Sequence, residues 1–177
     1  MQAILLKVFL VCVIVLLTSS GASGTELKSR FTTVVYENEE QLRRFNKEIY
    51  LGSLSYLLRN KKSITVGEEV KNKLDILVER VESILEMFPQ EVRFTVMLLS
   101  SDKDVQKIYR AKFGKDVEYI AFYSPKDRTI FVSVRDVDTG ILAHEIAHVI
   151  IDLYYGISTP TKIHEVLAQY VEKHLMD

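Results

Sequence analysis

The 177-residue chain holds one cysteine, no tryptophan and three prolines, and its formal net charge is -1. The single cysteine, Cys12, lies in an N-terminal apolar run, so the rest of the chain has no disulfide, no thiolate metal ligand and no cysteine nucleophile. The balanced charge provides no basic field of the kind that binds nucleic acid. With 47% hydrophobic and 27% charged residues, the composition indicates a globular protein rather than a disordered chain.

The N-terminal residues have the pattern of a secretory signal peptide. A lysine precedes an apolar run over residues 8–17, and small or polar residues follow over 18–24. This order predicts a signal peptide over residues 1–24, cleaved after Ala22 or Gly24. The run is shorter than the roughly 20 apolar residues of a membrane-spanning helix, and an uncleaved N-terminal membrane anchor remains the alternative. Both interpretations predict a secreted, periplasmic or cell-surface protein.

The remaining residues, 25–177, carry the hydrophobic spacing of one α+β domain. Alternating or β-branched stretches predict strands, and apolar residues at helical spacing predict helices. The predicted strands cover 31–36, 91–99, 117–123 and 129–134, and the predicted helices cover 37–60 with an interruption at Gly52, 67–88, 101–113, Asp136 or Asp138 to Tyr155, and 162–175. The turn-rich segment 124–128 predicts a hairpin between the last two strands. We therefore expect a small mixed or antiparallel sheet packed on the last two helices.

His144 and His148 lie four residues apart in the segment HEIAH. In a helix this spacing places both imidazoles on one face, where they can bind one metal ion, with Glu145 beside them as a base. The surrounding residues 141–153 are apolar on nearly every side, so the helix should be buried. Two histidines and a carboxylate are costly inside such a helix unless something satisfies them. A zinc ion would do so, and two core histidines hydrogen-bonded to the backbone are the other explanation.

A catalytic zinc site also requires a third protein ligand and one open position. Glu165 is the best candidate, because two helices joined by a short loop pack antiparallel and bring it back over the HEIAH face. Gln169, one turn further on, is expected to orient a ligand histidine. His164 and Asp152 remain rival ligands, and Asp152 is alternatively an acceptor for an imidazole N–H.

With these two helices the sequence resembles the gluzincin clan of zinc metallopeptidases. The resemblance rests on HEIAHVI at 144–150 and HEVLAQYVEKH at 164–174, which match an HExxH helix followed by a glutamate helix. The order of the preceding elements is similar to that of peptidase-MA-like domains and the single-domain minigluzincins. Many members have glycine after the glutamate, where this chain has Val166.

The resemblance implies a zincin-like domain over residues 25–177 that hydrolyses peptide bonds. The implied zinc ligands are His144, His148 and Glu165. Glu145 would accept a proton from the attacking water and pass it to the leaving amine. In the family, the substrate lies extended along the sheet edge just before the HExxH helix, where main-chain pairing holds it. The corresponding segment here is 128–134, with the side chains Thr129, Phe131 and Ser133.

Larger members of the family carry a histidine or tyrosine that stabilises the oxyanion from a C-terminal subdomain. The remaining donors near the motif helices here are His174, Tyr170, Tyr155 and Tyr123. Loss of one such donor typically lowers the rate by about 10²–10³. We expect a monomeric peptidase that acts on peptides or unfolded proteins, and both a fully active enzyme and a weak or latent one remain open. The alternative hypothesis is a catalytically silent zinc-binding or protein-interaction module that retains the fold.

Overall fold

The computed structural model describes residues 24–156 and 160–177. The predicted signal peptide or anchor lies outside these residues, apart from Gly24. The strands are β1 (Thr25–Lys28), β2 (Thr32–Tyr36), β3 (Phe94–Leu99), β4 (Ala121–Ser124) and β5 (Thr129–Ser133). The α-helices are α1 (Glu39–Glu48), α2 (Val66–Leu85), α3 (Asp102–Phe113), α4 (Thr139–Tyr155) and α5 (Thr161–His174). Short 3-10 helices cover Gly52–Leu58 and Pro125–Asp127.

The five strands form one sheet in the order β1-β2-β3-β5-β4. β2 pairs with β3, and β3 with β5, in parallel, whereas the outer pairs β1–β2 and β4–β5 are antiparallel. The predicted α+β class is therefore confirmed, and the sheet is mixed. The predicted hairpin is also confirmed, because β4 and β5 are joined by the short helix over Pro125–Asp127.

The prediction that residues 128–134 form the sheet edge is wrong. β5 lies between β3 and β4, and its residues, including Thr129, Phe131 and Ser133, are all buried. The free edge on this side of the sheet belongs to β4. A hairpin pattern identifies two antiparallel neighbours but does not say which of them pairs with a third strand. Here the parallel partner β3 takes the open side of β5.

The sheet separates α3 from the other four helices. Side chains alternate across a strand, and in β5 Ile130 and Val132 face the main hydrophobic core, to which α1, α2, α4 and α5 all contribute. Phe131 points the other way, into a smaller cluster with Val105 of α3 and Phe122 of β4. α4 therefore lies on the main-core side of the sheet.

Local signals in the sequence define both ends of α4. The Asp138 carboxylate accepts a hydrogen bond from the Ile141 N–H at 2.8 Å, which satisfies one of the free donors of the first turn. At the other end Gly156 adopts a left-handed conformation with φ of 61°, and its N–H donates to the Asp152 carbonyl. Glycine adopts this conformation without the steric cost that a side chain would bring. Of the two predicted starts, Asp136 and Asp138, the second is confirmed.

Two elements at the N-terminal side differ from the prediction. β1 was not predicted, because its TELK sequence has no alternating apolar pattern and only Leu27 is partly buried. Its pairing with β2 is made by backbone hydrogen bonds, which the pattern of side chains does not predict. The predicted helix over 37–60 is divided into α1 and the 3-10 helix that begins at Gly52. In the ranges 24–156 and 160–177, no helix has the length and apolar character needed to cross a membrane.

Candidate metal centre

α4 carries His144 and His148 one helical turn apart on the same face. Their ring centroids lie 4.9 Å apart with the planes nearly perpendicular. Only 18% and 14% of the two side chains is exposed, so both imidazoles are largely removed from water. The structure therefore confirms the prediction that the two imidazoles of the HEIAH segment lie together on one face of a helix.

α5 brings Glu165 between the two imidazoles. One carboxylate oxygen lies 3.6 Å from His144 Nε2, and the other lies 3.6 Å from His148 Nε2. One donor atom from each of the three residues lies within 4.8 Å of the others, a spacing that could hold a metal ion. Of the predicted third ligands, Glu165 is therefore the one that the fold places with both histidines.

Close antiparallel packing of α4 and α5 produces this arrangement. The C-terminal half of α4, at His148, faces the start of α5, while Gly140 near its start lies against Glu172 of the last turn of α5. A side chain on Gly140 would meet the Glu172 methylene at 3.4 Å. Ala168 is fully buried at the contact, and its single methyl group allows the two backbones to approach.

The second ring nitrogen of each histidine also has a partner. His144 Nδ1 lies 3.3 Å from a carboxylate oxygen of Glu172, and His148 Nδ1 lies 3.4 Å from His164 Nδ1. The Glu172 carboxylate can only accept a hydrogen bond, so it favours the proton on His144 Nδ1 and leaves the Nε2 lone pair free. The His164 ring does the same for His148 in the tautomer in which His164 Nδ1 is the acceptor. Both Nε2 atoms then face Glu165.

Glu172 was not predicted from the sequence. The predicted orienting residue, Gln169, is exposed, and Glu172 occupies that role beside His144. The sequence does contain a signal for its position. Glu172 follows Glu165 by seven residues, or two helical turns, and so lies on the same face of α5. His164, predicted as a rival ligand, instead contacts the ring nitrogen of His148 that faces away from Glu165.

The Glu145 carboxyl is buried, with 9% of the residue exposed, and lies near enough to Glu165 for that charge to act on it. Burial raises its pKa to about 8, and the nearby Glu165 charge acts in the same direction, while the backbone of Tyr123 opposes the shift. Without a cation, a buried carboxyl at this position therefore retains its proton near neutral pH. An adjacent divalent cation favours the carboxylate and lowers the pKa.

His148 remains neutral in the same environment. Burial lowers its pKa to about 3, and the neighbouring His144 and His164 rings add to the shift. Metal ions bind the neutral imidazole, so no proton competes for His148 at neutral pH. The site thus holds an unprotonated imidazole beside a proton-bearing carboxyl.

A cleft of about 630 Å³ opens next to the candidate metal ligands His148 and Glu165. It is lined by Tyr123, Pro125, Arg128, His148, Asp152, Leu153, Gly156, Thr161, His164 and Glu165. One alternative predicted that Asp152 accepts a hydrogen bond from an imidazole N–H. In the structure Asp152 instead accepts a hydrogen bond from the Tyr123 hydroxyl at 3.2 Å. These lining residues all follow residue 122, so the segment 25–60 is not part of the cleft wall.

Of the predicted oxyanion donors, Tyr123 lines the cleft. Tyr170 and His174 pack against each other with ring centroids 4.3 Å apart, and His174 also pairs with Asp177 near the C-terminus. Tyr155 is half exposed and packs on Tyr154. Of the four candidates, Tyr123 is therefore the one that the structure places in the wall of the cleft.

The donor set fits a divalent cation that accepts nitrogen and oxygen ligands. Donor atoms of two imidazoles and one carboxylate lie within 4.8 Å of one another, and Glu165 is half exposed and lines the cleft. No family model, curated protein or solved structure matches the chain. The chemistry of this centre has therefore to be argued from its own residues.

Proposed function

We propose that residues 25–177 form a zinc-dependent peptidase of the gluzincin type, with zincin-like packing of the HExxH and glutamate helices. The observation that carries this proposal is the geometry of His144, His148 and Glu165. Both Nε2 atoms lie 3.6 Å from the Glu165 carboxylate, while both Nδ1 atoms have partners of their own. Three oriented donors with one side open to a cleft are the ligand pattern of a catalytic rather than a structural zinc site.

Zinc is the proposed ion because two imidazoles and one carboxylate, with no thiolate, form a set that catalytic zinc sites use. When bound, the ion supplies Lewis acidity toward a water molecule and toward the carbonyl of the scissile bond. The chain supplies the remaining functions. Glu172 and His164 keep the ligand rings turned toward the ion, and the low pKa of His148 keeps that ring available.

Glu145 acts as the general acid and base. Its carboxyl is buried on the same helix between the two ligands, and a bound cation favours its ionised form. Ionised, it accepts the proton of the attacking water, and it then delivers that proton to the leaving amine. Its raised pKa in the absence of a cation means that the first transfer, from the water, is to a group with substantial proton affinity.

The β4 edge is the proposed site of substrate pairing. β4 pairs with β5 on one side, and it is the outermost strand of the sheet as described. Tyr123 of β4 lines the cleft that contains His148 and Glu165. An extended peptide added to this edge would be held by main-chain hydrogen bonds and presented to the metal centre.

The Tyr123 hydroxyl is the proposed donor to the oxyanion. Burial raises its pKa, with the Asp152 charge acting in the same direction, so the hydroxyl stays protonated and able to donate. Its present acceptor is Asp152 at 3.2 Å. A single donor of this type contributes about 10²–10³ in rate.

The proposed setting is extracellular, periplasmic or at the cell surface. The predicted signal peptide or anchor over residues 1–24 supports this proposal. The substrates would be peptides or unfolded proteins, because a strand-pairing edge recognises an extended backbone rather than a folded surface. We propose that the chain acts as a monomer.

The test compares wild-type protein with Glu145→Gln. Wild type is expected to bind one zinc per chain and to cleave an unfolded protein such as reduced casein. Glu145→Gln should retain zinc, measured by elemental analysis, and lose cleavage by at least about 10²-fold, since it cannot take up the proton. Purified wild type without zinc, after growth and dialysis with the metal, would refute the metal site.

The second candidate is a zinc-binding module without catalysis. The observation that favours it is the Tyr123–Asp152 hydrogen bond, which engages the donor that lines the cleft. This module would bind zinc through His144 and His148 and would bind peptides, but neither wild type nor Glu145→Gln would cleave them. The same comparison therefore separates the two functions.

A further inference from the structure

Among the lining residues in the described ranges 24–156 and 160–177, Arg128 is the one arginine or lysine. It lies at the end of the β4–β5 turn and lines the cleft together with Asp152 and Leu153 of α4. Its charge is near enough to the Tyr123 hydroxyl to act on that group's pKa. A cation therefore lies on the wall that the proposed substrate strand would follow.

The Arg128 backbone is held in an unusual conformation. Its φ and ψ are both 47°, in the left-handed region that favours glycine. Its N–H donates to the Pro125 carbonyl at 3.2 Å, and its own carbonyl accepts from the Thr95 N–H at 2.9 Å. A side chain in this region costs on the order of 1–2 kcal/mol, so a glycine would be less strained in the same turn.

The acids around Arg128 are engaged elsewhere. Asp127 accepts from Lys112 and from the Ser124 hydroxyl, while Asp152 accepts from the Tyr123 hydroxyl. Glu165 faces the two imidazoles. Across residues 24–156 and 160–177, the Arg128 guanidinium forms no ion pair.

We propose that Arg128 binds a carboxylate of the peptide and so makes the cleft selective for acidic substrates. This subsite rests on the proposed function, because it assumes that a peptide lies along β4. The guanidinium presents a planar pair of donors that matches a carboxylate. The carboxylate belongs either to an aspartate or glutamate side chain beside the scissile bond or to the free C-terminus of the peptide.

The test measures peptide binding to the zinc-loaded Glu145→Gln chain, which does not consume the ligand. A short neutral fluorescent peptide receives a single Asp at each position in turn, with Asn as the uncharged match, and a second series compares a free with an amidated C-terminus. One acidic member is expected to bind about five- to tenfold tighter than its match. The series in which it occurs identifies the source of the carboxylate.

Arg128→Gln in the same background is expected to remove this preference, and Arg128→Lys to retain part of it. Lys126→Gln is the matched control, because it removes the same charge two residues away at an exposed position that does not line the cleft. The proposal is overturned if no acidic peptide binds tighter than its match, or if Arg128→Gln keeps the preference. Thermal melting of each variant verifies the fold.

Cleavage by chains with an intact Glu145 is measured separately. If wild type cleaves peptides but Arg128→Gln leaves the ratio of acidic to neutral cleavage unchanged, the subsite is refuted and the peptidase stands. If wild type cleaves nothing while Arg128-dependent binding persists, the peptidase is refuted and the carboxylate subsite stands.

Discussion

Each ligand histidine in α4 uses its two ring nitrogens for different purposes. Nε2 of His144 and of His148 faces Glu165, and the Nδ1 atoms face Glu172 and His164. A core histidine that only satisfies its own hydrogen bonds does not need a carboxylate shared with a second histidine. The pairing of both nitrogens on both rings is what we expect of residues that could hold a metal ion, rather than of two buried polar residues.

Glu172→Gln tests the orienting role at the scale of one residue. A neutral amide is a weaker acceptor for the His144 Nδ1–H, so zinc affinity should fall by about 10–100-fold. Gln169→Ala is the matched control on the same helix, because Gln169 is exposed, and its affinity should equal that of wild type. Competition with a fluorescent chelator measures both. Equal affinities in Glu172→Gln and wild type would contradict the assignment.

The raised pKa of Glu145 has a consequence for the metal-free chain. A carboxyl whose folded pKa is about 8 and whose unfolded pKa is 4.5 stabilises the fold fully below pH 4.5, and that contribution is lost as pH rises through about 8. Glu145→Gln carries no such group. In EDTA it should melt several degrees above wild type at pH 8, and the difference should shrink by pH 5. A pH-independent difference would contradict the buried carboxyl.

The comparison with Glu145→Gln also distinguishes the pH-dependent stability due to Glu145 from that due to His148. Its folded pKa of about 3 lies below the ordinary 6.5, so its contribution is present above pH 6.5 and is lost as pH falls toward 3. This loss occurs in both chains and cancels in their difference. Melting curves measured by circular dichroism across the pH range provide both quantities.

At the scale of elements, the metal centre depends on how closely α5 approaches α4. Ala168 is fully buried and lies one turn from Glu165 on the same helix. The next position on that face, Glu172, lies against Gly140 of α4. Because Ala168 and Gly140 are small, the two helices can approach until the candidate ligands on both could reach one ion.

Ala168→Leu should push α5 away from α4. Overpacking of this kind typically costs about 1–3 kcal/mol in stability, and Glu165 would move away from the two histidines. Zinc affinity should therefore fall together with the melting temperature. Val166→Leu is the control, because Val166 is exposed on the same helix, and it should leave both unchanged. Unchanged zinc affinity in Ala168→Leu would show that the centre does not depend on this contact.

At the scale of the whole molecule, the proposed zinc would connect the last helix to the rest of the fold. The C-terminal end of α5 is already held from the other side, because Arg80 of α2 donates to the Leu175 and His174 carbonyls at 3.0 and 3.1 Å. Its N-terminal end carries Glu165 and faces the cleft. A bound ion would therefore add a connection at the N-terminal end of the helix.

Zinc should raise the melting temperature of the chain. A ligand at 100 times its dissociation constant stabilises the folded state by about 2.7 kcal/mol, which corresponds to about 5–10 °C for a domain of this size. EDTA should reverse the shift. His148→Ala should show no zinc-dependent shift, and His174→Ala is the control, since His174 pairs with Asp177 outside the centre. An equal shift in His148→Ala and wild type would contradict the ligand assignment.

Much of the fold and half of the centre could be predicted because the signals are local. α4 begins after its N-cap Asp138 and ends at Gly156, and α3 begins after its N-cap Ser101 and ends at Gly114. Each cap contacts residues within one turn of itself. The four-residue spacing of His144 and His148 likewise depends only on the geometry of one helix. In contrast, Glu172 was missed because its role needs the distance between two helices, although its seven-residue spacing from Glu165 was visible.

The sequence alone determined the HEIAH helix, the returning glutamate helix and the α+β class, because these depend on capping, periodicity and a short connection. Only the tertiary structure decided which strand is the sheet edge. β5 takes β3 as a parallel partner, which leaves β4 (Ala121–Ser124) outermost and rules out residues 128–134 as the sheet edge. It also decided the partners of the imidazoles and the wall of the cleft. These features join residues far apart in the chain, and no local pattern specifies such contacts.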